Sequence, residues 1–81
     1  MKVRVYVTLK EGIYDPQGKA VLNALSSLGF EGVQDVRIGK YFELDVAGPS
    51  LEAVDRSIDA MCQKLLANTV IEKYRYEIVE N

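Results

Sequence analysis

The sequence predicts an α+β domain, a two-layer sandwich in the order βαβαβ with both helices on one face of a three-stranded sheet. Three observations predict it. Apolar residues recur at every second position near both ends of the chain, a middle stretch keeps the same period, and the two stretches between them change to spacings of three and four. At 81 residues and 48% hydrophobic content, the chain reads as a single domain over 1–81, because that length leaves no room for a second core.

Val3, Val5, Val7 and Leu9 alternate with Lys2, Arg4, Tyr6, Thr8 and Lys10, which is a half-buried strand. Gly12 interrupts it. Asp15-Pro16 starts the first helix, since an aspartate accepts orphan amide hydrogens and proline fits the first helical position. Val21, Ala24, Leu25 and Leu28 form its apolar stripe, and Gly29 followed by Phe30 reads as a Schellman ending.

Val36, Ile38, Phe42, Leu44 and Val46 share one parity, which Lys40 alone breaks. A two-residue hairpin at Gly39-Lys40 would turn the two halves to opposite faces. Parity leaves one long bent strand over 33–46, or a three-residue hairpin at Gly39-Lys40-Tyr41 that would make the order ferredoxin-like, βαββαβ. The long strand is the preferred reading, and its overlong edge would want a partner. Gly48-Pro49-Ser50 opens the second helix, whose stripe is Leu51, Val54, Ile58, Met61 and Leu65, and Asn68 marks its stop. The last strand is read over Val70 to Val79, with Val70, Tyr74, Tyr76 and Ile78 on the core face. The other sheet face carries Arg4, Tyr6, Arg37, Tyr41 and Arg75, a composition of the kind found in protein interfaces.

Ten basic and 12 acidic residues give a net charge of −2, which offers no footprint for nucleic acid or an acidic membrane. No apolar run approaches the roughly 20 residues of a membrane span, and one cysteine with no leader-like start fits a reducing cytoplasm. So small a domain buries a modest share of its surface, so self-association to a dimer or tetramer is expected.

The chain has no histidine, which removes the commonest general base and the commonest metal ligand together. Cys62 therefore has no activating partner and reads as a small buried hydrophobe. Gly12 to Ala20 departs from a phosphate loop twice, with five residues between its glycines and alanine where the hydroxyl belongs. The amides of Gln17 and Gly18 at the helix start are expected to be capped by Asp15 instead of holding an anion. Asp55 and Asp59, one turn apart, read as a solvated charged face. No catalytic, metal or cofactor site follows from the residues.

Several segments in order resemble the PurS family along the whole chain: Val5 to Lys10, Gly12-Ile13, Asp15-Pro16-Gln17-Gly18, Ala24-Leu25, Leu28-Gly29-Phe30, Val36-Arg37-Ile38-Gly39-Lys40, Lys64-Leu65-Leu66-Ala67-Asn68 and Val70-Ile71-Glu72. Thr69 stands where the family often has proline. The resemblance implies a non-catalytic subunit of phosphoribosylformylglycinamidine synthase, a ligase using ATP and glutamine in purine synthesis. It implies a large synthetase subunit and a glutaminase subunit as partners, with ATP and magnesium held by the large one. PurS would bridge the two and support ammonia transfer. Carried over as candidate subunit contacts are Asp15, Gln17, Gly18, Arg37, Gly39, Lys40, Asn68 and Glu72. The competing expectation is a small dimeric ligand-sensing domain, which rests on fold analogy alone.

Overall fold

The computed structural model describes residues 1–79. Val3, Val5 and Val7 are buried while Lys2, Arg4 and Thr8 are exposed, so the first alternating segment forms a strand with one face on the core. This is β1, Lys2–Leu9. It lies between β2, Lys40–Asp45, and β3, Glu72–Val79, and pairs antiparallel with both. Val3 sits opposite Leu44 and Ile78, Val5 opposite Phe42 and Tyr76, and Val7 opposite Tyr74. Apolar cross-strand pairs of this kind contribute roughly 0.2–1 kcal/mol each.

The helix α2, Leu51–Met61, covers that face with Val54 and Ile58. Its first turn is capped by Ser50, whose Oγ accepts from the Ala53 amide at 3.2 Å. After Met61 the chain widens into one π-helical turn, Cys62–Leu66, closed by the Ala67 amide donating to the Cys62 carbonyl at 3.0 Å. The extra residue in that turn changes the phase of the stripe. Cys62 is fully buried and Leu66 half-buried, whereas Leu65, expected on the stripe, is 82% exposed.

Three further expectations are corrected. The middle strand is paired over Lys40–Asp45 only, not over 33–46, because the Ile38 amide is diverted to the Asp15 carboxylate and so does not extend the ladder. The hairpin alternative is also absent, since Lys40 and Tyr41 pair with Val7 and Tyr6 inside the strand. The sheet with α2 on one face is ferredoxin-like in arrangement, with residues 33–38 outside the sheet. The last strand begins at Glu72, and Val70, expected on the core face, is 79% exposed in the turn before it.

The remaining correction concerns α1, Pro16–Ser27. Only α2 takes its predicted place on the sheet. In α1, Gly18 alone is buried, Leu25 is half-buried, and Val21, Ala24 and Leu28 are exposed. The Schellman ending does form: Gly29 adopts φ +92°, and the Phe30 amide donates to the Leu25 carbonyl at 3.0 Å. With α1 held off the sheet, the radius of gyration is 16.2 Å and the longest extent 51 Å. A compact domain of this length would have a radius near 12 Å.

Candidate subunit-docking corner

Asp15 is the one buried carboxylate among the described residues, and it joins three segments. One oxygen accepts from the Gly18 amide at 2.8 Å as the N-cap of α1; the other accepts from the Ile38 amide at 2.8 Å. These backbone donors, first Gly18 and then Ile38, hold its pKa below the ordinary carboxylate value. Gly18 and Gly39 are there because the segments touch. A Cβ on Gly18 would lie 2.2 Å from the Val36 carbonyl oxygen, and one on Gly39 would lie 2.3 Å from that of Val7.

Arg37 is not on the open sheet face where parity placed it. Its guanidinium donates to the carbonyls of Ile13 at 3.1 Å and Lys10 at 3.3 Å, tying the loop after β1 to the segment before β2. Lys40 lies 3.5 Å from the Glu72 carboxylate. The other Glu72 oxygen accepts from the Asn68 amide at 2.7 Å, and Asn68 Oδ1 accepts from the Val70 amide at 3.2 Å. Seven of the eight candidates thus act as caps, clamps or close-approach glycines, in two hydrogen-bonded groups, Asp15, Gly18 and Arg37 in one and Lys40, Asn68 and Glu72 in the other, with Gly39 between them. Gln17, the eighth, lines the groove beside them with Tyr14, Ile38, Gly39, Lys40, Ile71 and Glu72, a volume of about 320 Å³.

These contacts explain the motif residues as builders of the corner, and Tyr14, Val70 and Ile71 as what the corner displays. Tyr14 is 72% exposed and Ile71 is exposed beside it. Sequence reasoning passed over Tyr14 and Ile71 as surface residues and placed Val70 on the core face, because nothing in their spacing marks a surface. A corner stiffened by internal hydrogen bonds that presents an aromatic and two aliphatic side chains can dock a protein, since little side-chain or loop freedom remains to be lost on binding. Among the described residues no cluster of three potential metal ligands occurs.

The aspartates of α2 are also not simply solvated. Tyr74 donates to Asp59 at 2.6 Å and Tyr76 to Asp55 at 2.9 Å, so two hydroxyls of β3 are tied to one helical ridge. The signal was present in the spacings: two residues along a strand cover about 6.7 Å and four along a helix about 6 Å, so the pairs match. Burial, then the Asp55 hydrogen bond, pushes the Tyr76 pKa up to about 12.

Compared with known proteins, the model of the PurS family, described as phosphoribosylformylglycinamidine (FGAM) synthase, matches residues 2–80. The chain belongs to the PurS family. The phosphoribosylformylglycinamidine synthase subunit PurS of Bacillus subtilis is 58% identical, over 98% of this chain and 93% of its own length. The solved structure of B. subtilis PurS superposes with a TM-score of 0.88, covering 98% of each chain. A chain in the structure of PurLQS from Thermotoga maritima, 26% identical, superposes at 0.87 over 96% of this chain and 95% of its own. The PurS likeness therefore extends over the corner, α1 and the sheet together.

Proposed function

We propose that this chain is the bridging PurS subunit of a cytoplasmic phosphoribosylformylglycinamidine synthase, which converts formylglycinamide ribonucleotide, ATP and glutamine to formylglycinamidine ribonucleotide in purine biosynthesis. The observation that carries the reading is the extent of the likeness: a PurS subunit matches nearly end to end, not through one motif. Under this reading the chain carries no catalytic group of its own. ATP and magnesium are bound by the large synthetase subunit, glutamine is hydrolysed on the glutaminase subunit, and this chain supports passage of ammonia between them. The rigid corner with Tyr14 and Ile71 suits docking to such a partner.

Self-association belongs to the same reading. The chain exposes 5920 Å², against about 4,900 Å² for a compact monomer of its mass. The surplus resembles the roughly 800 Å² per partner that a standard interface buries. Val21 on α1 and Leu28 at its end contribute to it, and a groove of about 510 Å³ beside α2, lined by Leu44, Ala60, Met61 and Leu66, offers an apolar seat for the α1 of a second copy.

Reconstitution tests the function. Glutamine-dependent turnover by the mixed synthetase and glutaminase subunits is expected to need this chain, and turnover that proceeds equally well without it would end the reading.

A further inference from the structure

The pairing of β1 with β2 stops one rung short of where its own phase would carry it. The Val46 amide donates to the Met1 carbonyl at 2.8 Å, and the Met1 amino group donates to the Val46 carbonyl at 2.9 Å, so Met1 and Val46 form a hydrogen-bonded pair. Such pairs recur at every second residue of an antiparallel ladder, which makes Val3–Leu44, Val5–Phe42 and Val7–Lys40 the ones that follow and Leu9–Ile38 the next. The other side of β1 agrees in phase. There the Lys10 amide donates to the Ile71 carbonyl at 2.8 Å, so Leu9, one residue before, turns its backbone groups toward β2. Yet the ladder to β2 ends at Val7–Lys40, and the Ile38 amide donates to Asp15 Oδ2 at 2.8 Å instead.

We infer that residues 36–38 form a strap with two seats: latched, with the Ile38 amide on Asp15, and closed, with Ile38 paired to Leu9 so that β2 gains a rung and the start of α1 is released. The strap already lies in register. Continuing the β1–β2 register places Arg37 opposite Lys10, and the Arg37 guanidinium donates to the Lys10 carbonyl at 3.3 Å. The pivot is Gly39, where the chain runs so close to β1 that a Cβ would lie 2.3 Å from the Val7 carbonyl oxygen and 3.0 Å from Thr8 Cγ2. Ile38 shares the parity of Phe42 and Leu44, so closing leaves it on the core face beside Leu9.

The two seats are close in strength. A hydrogen bond to a carboxylate is roughly twice as strong as a neutral one, so the single latched bond is matched by the two neutral bonds of one rung. Closing also leaves α1 capped, because the other Asp15 oxygen keeps the Gly18 amide at 2.8 Å. The exchange takes place within one chain and needs neither a partner subunit nor the α1 contact proposed above.

Hydrogen exchange followed by NMR tests the strap at the Leu9 amide. Asp15→Asn keeps one oxygen for the Gly18 amide and puts a donor in place of the second acceptor, so it is expected to close the strap and slow exchange at Leu9 about tenfold or more. Asp15→Ser retains a helix cap with a single, shorter acceptor and is expected to do the same. A carboxylate that served only as a structural tie would give the opposite result, with faster exchange at Leu9 and along α1. Exchange at Leu9 that is unchanged or faster in both variants, loss of protection along α1 in both, or failure of both to fold would each overturn the proposal.

Discussion

Asp15 shows how one side chain can set the course of the chain around it. Its carboxylate caps α1 and takes the Ile38 amide, and because it is held below its ordinary pKa by those donors, its contribution to stability is present above the unfolded carboxylate pKa and is lost as pH falls through the lower folded value. The glycines beside it are steric requirements. Gly18→Ala and Gly39→Ala each drive a Cβ into a backbone carbonyl and are expected to cost about 1–3 kcal/mol, read as a fall in Tm of about 4–8 °C per kcal/mol. Tyr76 gives a signature at the other end of the pH scale. With its pKa raised from 10.0 to about 12, the folded state keeps a proton that the unfolded chain releases, so that stabilisation is complete below pH 10 and is lost as pH rises to 12. Tyr6 and Tyr74 are also raised in pKa, by their hydrogen bonds to Glu77 and Asp59, so ultraviolet titration should show several late tyrosines, of which the phase near pH 12 is lost in Tyr76→Phe.

At the scale of elements, α2 and β3 are joined both by packing and by paired hydroxyl–carboxylate bonds. A double-mutant cycle on Tyr74→Phe and Asp59→Asn should yield a coupling of about 0.5–1.5 kcal/mol, measured by denaturant unfolding. The π-helical turn separates Leu65 from Cys62. Replacing exposed Leu65 with Gln should leave unfolding nearly unchanged, and a thiol reagent should reach Cys62, buried and raised in pKa by that burial, only as the chain unfolds.

At the scale of the whole molecule, the surface left by α1 is the feature to explain. Leu28 is 73% exposed at the end of a helix whose stripe meets no sheet of its own chain. Leu28→Glu is expected to lower the associated mass in light scattering without changing the circular dichroism, since a side chain that is solvated in the single chain matters to its fold only weakly.

The local elements were legible in the amino-acid sequence because their causes are local. Alternation of Val3, Val5 and Val7 makes a strand, Asp15-Pro16 and Ser50 start helices, and Gly29 ends one, all within a few residues of each other. The candidate residues of the corner were likewise recognisable, as a set, from the PurS likeness. What only the tertiary structure decided is where each element goes and what each motif residue does. Parity can mark residues 33–46 as extended, but the strand stops at Lys40 because an amide at Ile38 finds a carboxylate more than twenty residues away. An apolar stripe says that α1 must be covered, not by which chain. Periodicity records how side chains are spaced along one element; partners across space depend on the packing of all of them at once.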